Sequence, residues 1–436
     1  MTTSLDRAHH AAAERDVVTA LQRELAQRAG VALPLRLWDG SEVGPGDAPF
    51  RLVLHHPWSA RALLRPAFDL AAGEAYVEGA IDILGDAEAA MAAGERLGAA
   101  FPHGTREGTR ARLRLAQQLL ALPSPPQRPH TRRARMRGRM HSVARDRAAI
   151  AFHYDLPVPF YETFLDPRLV YSCAAFERPD EPLAVAQQRK LALVCAKLRL
   201  SPGARLLDVG CGFGSLLLYA AQHHGVRGVG VTLSATQAAA GRERIVRAGL
   251  ADRVEIRLAD YRELRERFDA VASIGMLEHV GPDHLDGYAR RLGMLVRPGG
   301  RVLNHGIVLR DADSVRTGRE RTFLSAYVFP DGGLVPAWRL VRATQRAGLD
   351  LLDVQQLGPS YAFTLRRWLA ALEAGHPQAV AAAGEADYRI WRVYMSASAH
   401  NFAQRALGVV QVLSGRDASV PLGRSWMTPK LPRRSS

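Results

Sequence analysis

Cysteine is scarce: Cys173, Cys195 and Cys211 are the only three in 436 residues. Three so scattered cannot lay out a disulfide framework or a zinc site, so a reducing cytoplasm and no metal are expected. No apolar run approaches the length of a membrane span. The first residues lead into an Ala- and Glu-containing stretch without the apolar core of a secretory signal. Acids are in deficit too, with 43 Asp and Glu against 58 Lys and Arg and a net charge of +15. The excess favours an anionic partner surface, and nucleic acid, anionic lipid or mere solvated arginine would each satisfy it.

What is present centres on Arg205-Leu206-Leu207-Asp208-Val209-Gly210-Cys211-Gly212-Phe213-Gly214. Apolar β-formers run into three alternating glycines, the pattern of a buried strand, a tight turn and then a helix over about 215–223. Glycine there permits positive φ and lets a ligand approach bare backbone, and the helix N-terminus offers N–H groups to an anion. A dinucleotide fold asks for G-x-G-x-x-G and an acid at the end of the second strand, about 20 residues on. Here the third glycine comes one residue early, and the second strand, 227–232, ends in Thr232, Leu233 and Ser234. That disfavours NAD and makes S-adenosylmethionine the better expectation; a strand-to-helix turn with no ligand is the bland alternative.

The chain divides into residues 1–122, a compact α+β accessory domain; 123–147, a linker; and 148–436, an α/β domain of alternating strands and helices. In the first part a helix is expected over 11–29, a strand and a turn over 33–41 with its partner strand over 50–55, and helices near 58–68 and 86–97. The stretch 73–79 is turn-punctuated and carries Glu74 and Glu78, for which a capped turn facing solvent weighs at least as much as a catalytic role. The linker breaks on Pro123, Pro125, Pro126 and Pro129 and carries Arg128, Arg132, Arg133, Arg135, Arg137, Arg139, Arg145 and Arg147 against Asp146 alone. Each arginine near an anionic bilayer could add about 1 kcal/mol. No aromatic residue interleaves them, which argues against stacking on single-stranded nucleic acid.

After the glycine loop the pattern places a helix over 235–248, strands over 254–258 and 268–274, a helix over 283–296 and a strand over 301–305. Ligands of such sheets gather at the carboxyl ends of the strands. Those ends carry Asp208, Thr232, Asp260, residues 275–279 and His305.

Several motifs in order then carry a resemblance. They are His153-Tyr154-Asp155-Leu156, Val170-Tyr171-Ser172-Cys173-Ala174, the glycine loop, Gly230-Val231-Thr232-Leu233-Ser234-Ala235-Thr236-Gln237, Asp260-Tyr261-Arg262, Gly275-Met276-Leu277-Glu278-His279-Val280-Gly281 and Tyr327-Val328-Phe329-Pro330-Asp331-Gly332-Gly333. Over about 148–413 the chain resembles the cyclopropane-fatty-acid-phospholipid synthase family, which includes the mycolic acid methyltransferases. The first 122 residues resemble that family's lipid-facing domain more weakly. The resemblance implies a class I methyltransferase, a Rossmann-like sheet with helices on both faces. It implies S-adenosylmethionine as donor and the double bond of an unsaturated phospholipid chain, in an anionic membrane surface, as acceptor. It further implies a peripheral place at the inner face of the cell membrane and no nucleic-acid partner, and leaves a homodimer open.

Carried over residue by residue, the cofactor site would comprise Tyr171, Ser172, Asp208, Gly210, Gly212, Gly214, Thr232, Gln237, Asp260 and Tyr261. The family binds a bicarbonate ion as base, and the matching positions are Cys173 and Ile307 (both through backbone), Glu278, His305 and Tyr361, with Cys173, Glu278, His305 and Tyr361 the catalytic set. Glu278 and His305, at adjacent strand ends, would form a hydrogen-bonded pair; each also has a bland reading, as a capping acid and a core histidine. Two departures stand out: Pro157-Val158-Pro159 where the family has Gly-Asn-Asp, and Ser398 where it often has cysteine. They leave open a C-methyltransferase that releases a methyl-branched or methylene product. A small-molecule methyltransferase, an RNA methyltransferase and a non-catalytic lipid-binding protein are weaker alternatives.

Overall fold

The computed structural model describes residues 4–63, 68–101, 106–126, 132–311, 313, 315, 322–420 and 423–429. Arg128 and Pro129 of the expected linker lie outside these residues. The chain forms two compact units.

One unit comprises Met1–Arg133, Arg321–Val328 and Glu385–His400. Its strands β1 (Leu35–Arg36), β2 (Glu42–Val43), β3 (Phe50–Leu54) and β4 (Ile81–Gly85) make a sheet in the order β2-β1-β3-β4. The strand and turn expected over 33–41 are present as the two-residue β1 and a turn at 38–40, and β1 pairs with β3 in parallel. The helix Ser4–Ala29 buries Val18, Leu21 and Leu25, spaced three and four apart as a helix face requires. It packs against the helix Ala87–Ala99, whose N-cap Asp86 accepts from Ala89 N at 3.0 Å.

Most of the stretch 73–79 is helix, and only Glu78 and Gly79 form a turn. The helix Phe68–Val77 runs through Gly73, and the ring of Phe323 occupies the space that a Cβ at Gly73 would need. Asp69 accepts from Phe323 N at 3.0 Å, and Glu74 takes both the Tyr327 hydroxyl at 3.1 Å and the Arg133 guanidinium. Arg389 joins Asp82 at 2.7 Å, and Arg392 donates to the Tyr76 hydroxyl at 3.0 Å.

These contacts explain why the division is not the sequential one expected from the sequence. Segments 321–328 and 385–400, assigned there to the second domain, carry the side chains that complete the first unit. Within the linker, Arg132 pairs with Asp387 and Arg133 with Glu74, while Arg135, Arg137, Arg139 and Arg147 are exposed. Arg133→Glu should set a second carboxylate against Glu74 and lower stability by roughly 1–3 kcal/mol. A urea midpoint that does not move would show the pair to be idle.

The other unit comprises Ala134–Glu320, Phe329–Gly384 and Asn401–Ser436. Its seven strands are β5 (Arg205–Val209), β6 (Arg227–Thr232), β7 (Val254–Leu258), β8 (Phe268–Ile274), β9 (Val296–Leu309), β10 (Asp350–Gln356) and β11 (Leu407–Gly415), in the order β10-β11-β9-β8-β5-β6-β7. Strands β5 to β9 are parallel, and β11 and β10 close one edge antiparallel. Alternate residues feed two cores. Leu206, Ala272, Leu303 and Leu413 face a layer holding Leu191, Val194 and Leu217, and Leu207, Val271, Val302 and Val412 face Tyr288, Leu292 and Leu340. Each leucine or valine so enclosed contributes about 1.5–3 kcal/mol. Among the described residues no helix is long and apolar enough to cross a membrane.

Candidate functional site

The loop after β5 turns on three glycines in left-handed backbone, Gly210, Gly212 and Gly214, at φ +74°, +53° and +76°. Two of them are bare for packing. A Cβ on Gly210 would meet Met276 Sδ at 2.5 Å, and one on Gly214 would meet Ile256 Cδ1 at 2.8 Å. Gly212 differs, because beside its missing Cβ only Gln237 Nε2 stands, at 3.9 Å. The middle glycine therefore opens onto free space, which is the room a ligand lying on bare backbone needs.

Thr232, at the end of β6, donates to Gln237 Oε1 at 3.1 Å, so the amide nitrogen of Gln237 is the end turned to that space. Ser234 caps the next helix by accepting from Gln237 N at 3.1 Å. Asp260, after β7, does not offer a free carboxylate. Arg262 clasps it through Nη2 at 2.6 Å and Nε at 2.9 Å, so Asp260 orders the turn that presents Tyr261. Burial pushes the Tyr261 phenol up to about 12, so it is a hydrogen-bonding hydroxyl at neutral pH.

Tyr171 hydrogen-bonds His153 Nε2 at 3.2 Å and lies 5.1 Å from the Trp368 ring. Phe164, Tyr161 and Phe213 extend this aromatic wall, Tyr161 lying 5.3 Å from Phe213. Ser172 Oγ accepts from Lys190 Nζ at 2.9 Å. Lys190 is a residue that sequence reasoning missed. It is 1 % exposed, and desolvation holds its ammonium down to about 8 against the pull of Asp166 and Cys173. Asp208 faces the same helix, Leu183–Lys197, and burial pushes its carboxyl up to about 7. Its position is beneath the loop, in the lysine's field. The available signal was Gln187, Lys190 and Lys197, polar residues spaced along one face of a helix that buries all three.

Glu278 opens the short helix after β8. Its Oε1 accepts from Ile307 N at 2.7 Å, while Oε2 is buried with no partner. Desolvation pushes its carboxyl up to about 7. His305, 2 % exposed on β9, contacts Gln411 through Nδ1 at 3.3 Å, and burial drives it down to about 3, so it stays neutral. The expected hydrogen bond between Glu278 and His305 is not formed: Oε1 accepts from Ile307 N, His305 Nδ1 faces Gln411, and Oε2 is left without a partner. Nor is the Ile307 N–H free for a ligand.

Cys173 is buried, with its thiol donating to Ala174 O at 3.2 Å; burial pushes it well above its usual range, so it stays a thiol. Ala174 N donates to Thr364 Oγ1 at 3.1 Å, which joins the Cys173 segment to the helix Ser360–Ala374 bearing Tyr361. Tyr361 packs on Phe402 at 4.7 Å and Trp368 at 6.0 Å. His279 is supporting, since its Nε2 meets the Tyr154 hydroxyl at 3.0 Å.

The arrangement combines an open glycine face, a water-poor aromatic wall and a buried carboxylate oxygen in want of a donor. It suits transfer of a group to an apolar acceptor followed by loss of a proton.

The family model for mycolic acid cyclopropane synthetase matches residues 141–412. Over 392 residues the chain is 36% identical to a probable fatty acid methyltransferase of Pseudomonas putida, covering 89% of this chain and 93% of that protein. It is 36% identical over 264 residues to the cyclopropane-fatty-acyl-phospholipid synthase of Escherichia coli (strain K12), covering 61% and 66%. The crystal structure of mycolic acid cyclopropane synthase CmaA1 complexed with SAH and CTAB aligns with a TM-score of 0.58 at 32% identity, covering 62% of this chain and 97% of that one.

Proposed function

The chain belongs to the mycolic acid cyclopropane synthetase family of S-adenosylmethionine-dependent methyltransferases, and we propose that it builds cyclopropane rings on unsaturated phospholipid acyl chains at the inner membrane face. S-adenosylmethionine supplies an electrophilic methyl group. The open face of Gly212, with Gln237 beside it, fits such a ligand, and Tyr171, Ser172, Thr232 and Tyr261 provide further polar contacts. An alkene is a weak nucleophile, and its attack leaves a carbocation that must be kept from water. The largely buried wall of Tyr161, Phe164, Tyr171, Phe213 and Trp368 would keep water out and supply aromatic rings near positive charge.

Ring closure then needs the new methyl to lose a proton, its C–H electron pair becoming the third ring bond. The observation that carries this reading is the orphaned Oε2 of Glu278. A bicarbonate ion fits this point, since its hydroxyl is the donor that Oε2 lacks, and it would supply a mobile base. Neutral His305 and the Cys173 thiol bring no competing charge, and Glu278 is the chain's own final proton acceptor.

A carboxyl titrating near 7 is matched to that task. Only its ionised form accepts a proton, so turnover should fall about tenfold per pH unit below 7 and level off above it. A flat rate between pH 5.5 and 8 would remove Glu278 from proton transfer.

A second reading, a fatty-acid C-methyltransferase that releases a methyl-branched or methylene product, keeps to the printed name of the relative matched over most of the chain, a probable fatty acid methyltransferase, and draws on Pro157–Pro159, which here begin the short helix Val158–Glu162. Incubating the protein with S-adenosylmethionine and vesicles of unsaturated phospholipid separates the two. Proton NMR should show upfield ring protons; vinylidene protons instead would establish the second reading.

A further inference from the structure

The helix Ala337–Arg346 lies apart from the site residues but starts at the same end of the sheet. Leu309, the last residue of β9, donates to Val335 O at 3.0 Å and bridges Pro336 in parallel. Ile307, whose N–H holds Glu278, is two residues earlier on that strand, roughly 7 Å along it. Leu340, Ala343 and Thr344 turn inward to the core. Trp338, at the opposite face of the first turn, is 44% exposed. The Arg342 guanidinium sits 4.8 Å from its ring centroid and that of Arg339 5.5 Å. Of the helix's three arginines, only Arg346 meets a carboxylate among the described residues, Asp286 at 3.0 Å.

A half-exposed indole flanked by two guanidiniums combines an apolar ring with cationic tips. It is well placed where water meets lipid. The ring can enter the outer acyl region while the arginines reach phosphate, a division of labour that both side chain types favour at interfaces. An acidic protein surface would pair with the arginines but give the ring less to enter. We propose that Trp338, Arg339 and Arg342 form a docking point for an anionic phospholipid bilayer at the carboxyl end of the sheet. The patch would set the bilayer at the end of the strand whose Ile307 N–H holds Glu278. This rests on the lipid-acceptor reading above and adds where the second unit meets its substrate's surface.

The test uses the full chain and saturated vesicles, so that binding is read without chemistry. Wild-type protein should co-sediment with vesicles of phosphatidylglycerol and phosphatidylcholine more strongly than with phosphatidylcholine alone. Arg342→Glu and Trp338→Ala should each weaken that partition about tenfold at low salt. Affinity for SAH, measured by calorimetry, should not change, which shows that the variants are folded. Variants that sediment like wild type overturn the proposal, as does wild type that ignores vesicle charge. Intact vesicle binding with lost turnover on an acyl chain carried by an acidic protein also overturns it, in favour of a protein-docking face. Vesicle binding as described, with no alkene consumed by the wild type, sinks the acceptor reading and leaves the docking point standing.

Discussion

Glu278→Gln is expected to slow turnover by at least ~100-fold, the effect of removing a positioned proton acceptor, while SAH binding stays near wild type. Glutamine keeps the shape and can still accept from Ile307 N, so the loss would belong to the proton and not to the fold. The same substitution should raise stability at alkaline pH. An unfolded glutamate ionises from about 4.5, whereas Glu278 in place ionises only near 7. The folded chain thus holds an extra proton between these values, and stability falls as pH rises through that window. Above it the native state carries a penalty of roughly 3 kcal/mol, which glutamine avoids. Denaturation at pH 8 and at pH 4.5 should therefore separate the proteins at the first pH and not the second. A variant both slow and destabilised at pH 8 would mean that Glu278 is a structural strut.

Gly212→Val should abolish measurable SAH binding in a calorimeter while the protein still folds. The φ of +53° costs a side chain on the order of 1–2 kcal/mol, more for a β-branched one. The valine methyls would fill the only open glycine face of the loop. Gly210→Val is the control, since its first carbon would strike Met276 and harm the fold itself. Should Gly212→Val bind SAH normally, the ligand does not lie on this loop.

The strands around this loop could be read in advance because their signals are local. β6, β7 and β8 fall on the expected residues, and the helix after the glycines lies within one residue of expectation. β10 and β11 escaped notice, as an antiparallel edge depends on pairing with distant β9 and not on any turn nearby. The same holds for the site. Thr232 and Gln237 could be placed from their own neighbours in sequence, but Lys190 is chemical only because Ser172, Asp166 and Asp208 converge on it. Glu74 and Glu78 looked like turn acids because nothing local announces Phe323 or Arg133. Asp260 was legible as a strand-end acid, whereas its capture by Arg262 was visible only in three dimensions.

The first unit draws on segments 321–328 and 385–400 as well as the amino-terminal residues, and this has a bearing on biosynthesis. When residue 133 leaves the ribosome, Gly73 still lacks Phe323, and Tyr76 and Asp82 lack Arg392 and Arg389. At about 5–20 residues per second the missing parts follow only roughly 15–50 s later. Throughout that interval the nascent amino-terminal segment shows an uncovered apolar flank to the cell, so it should engage holding chaperones until translation is nearly over.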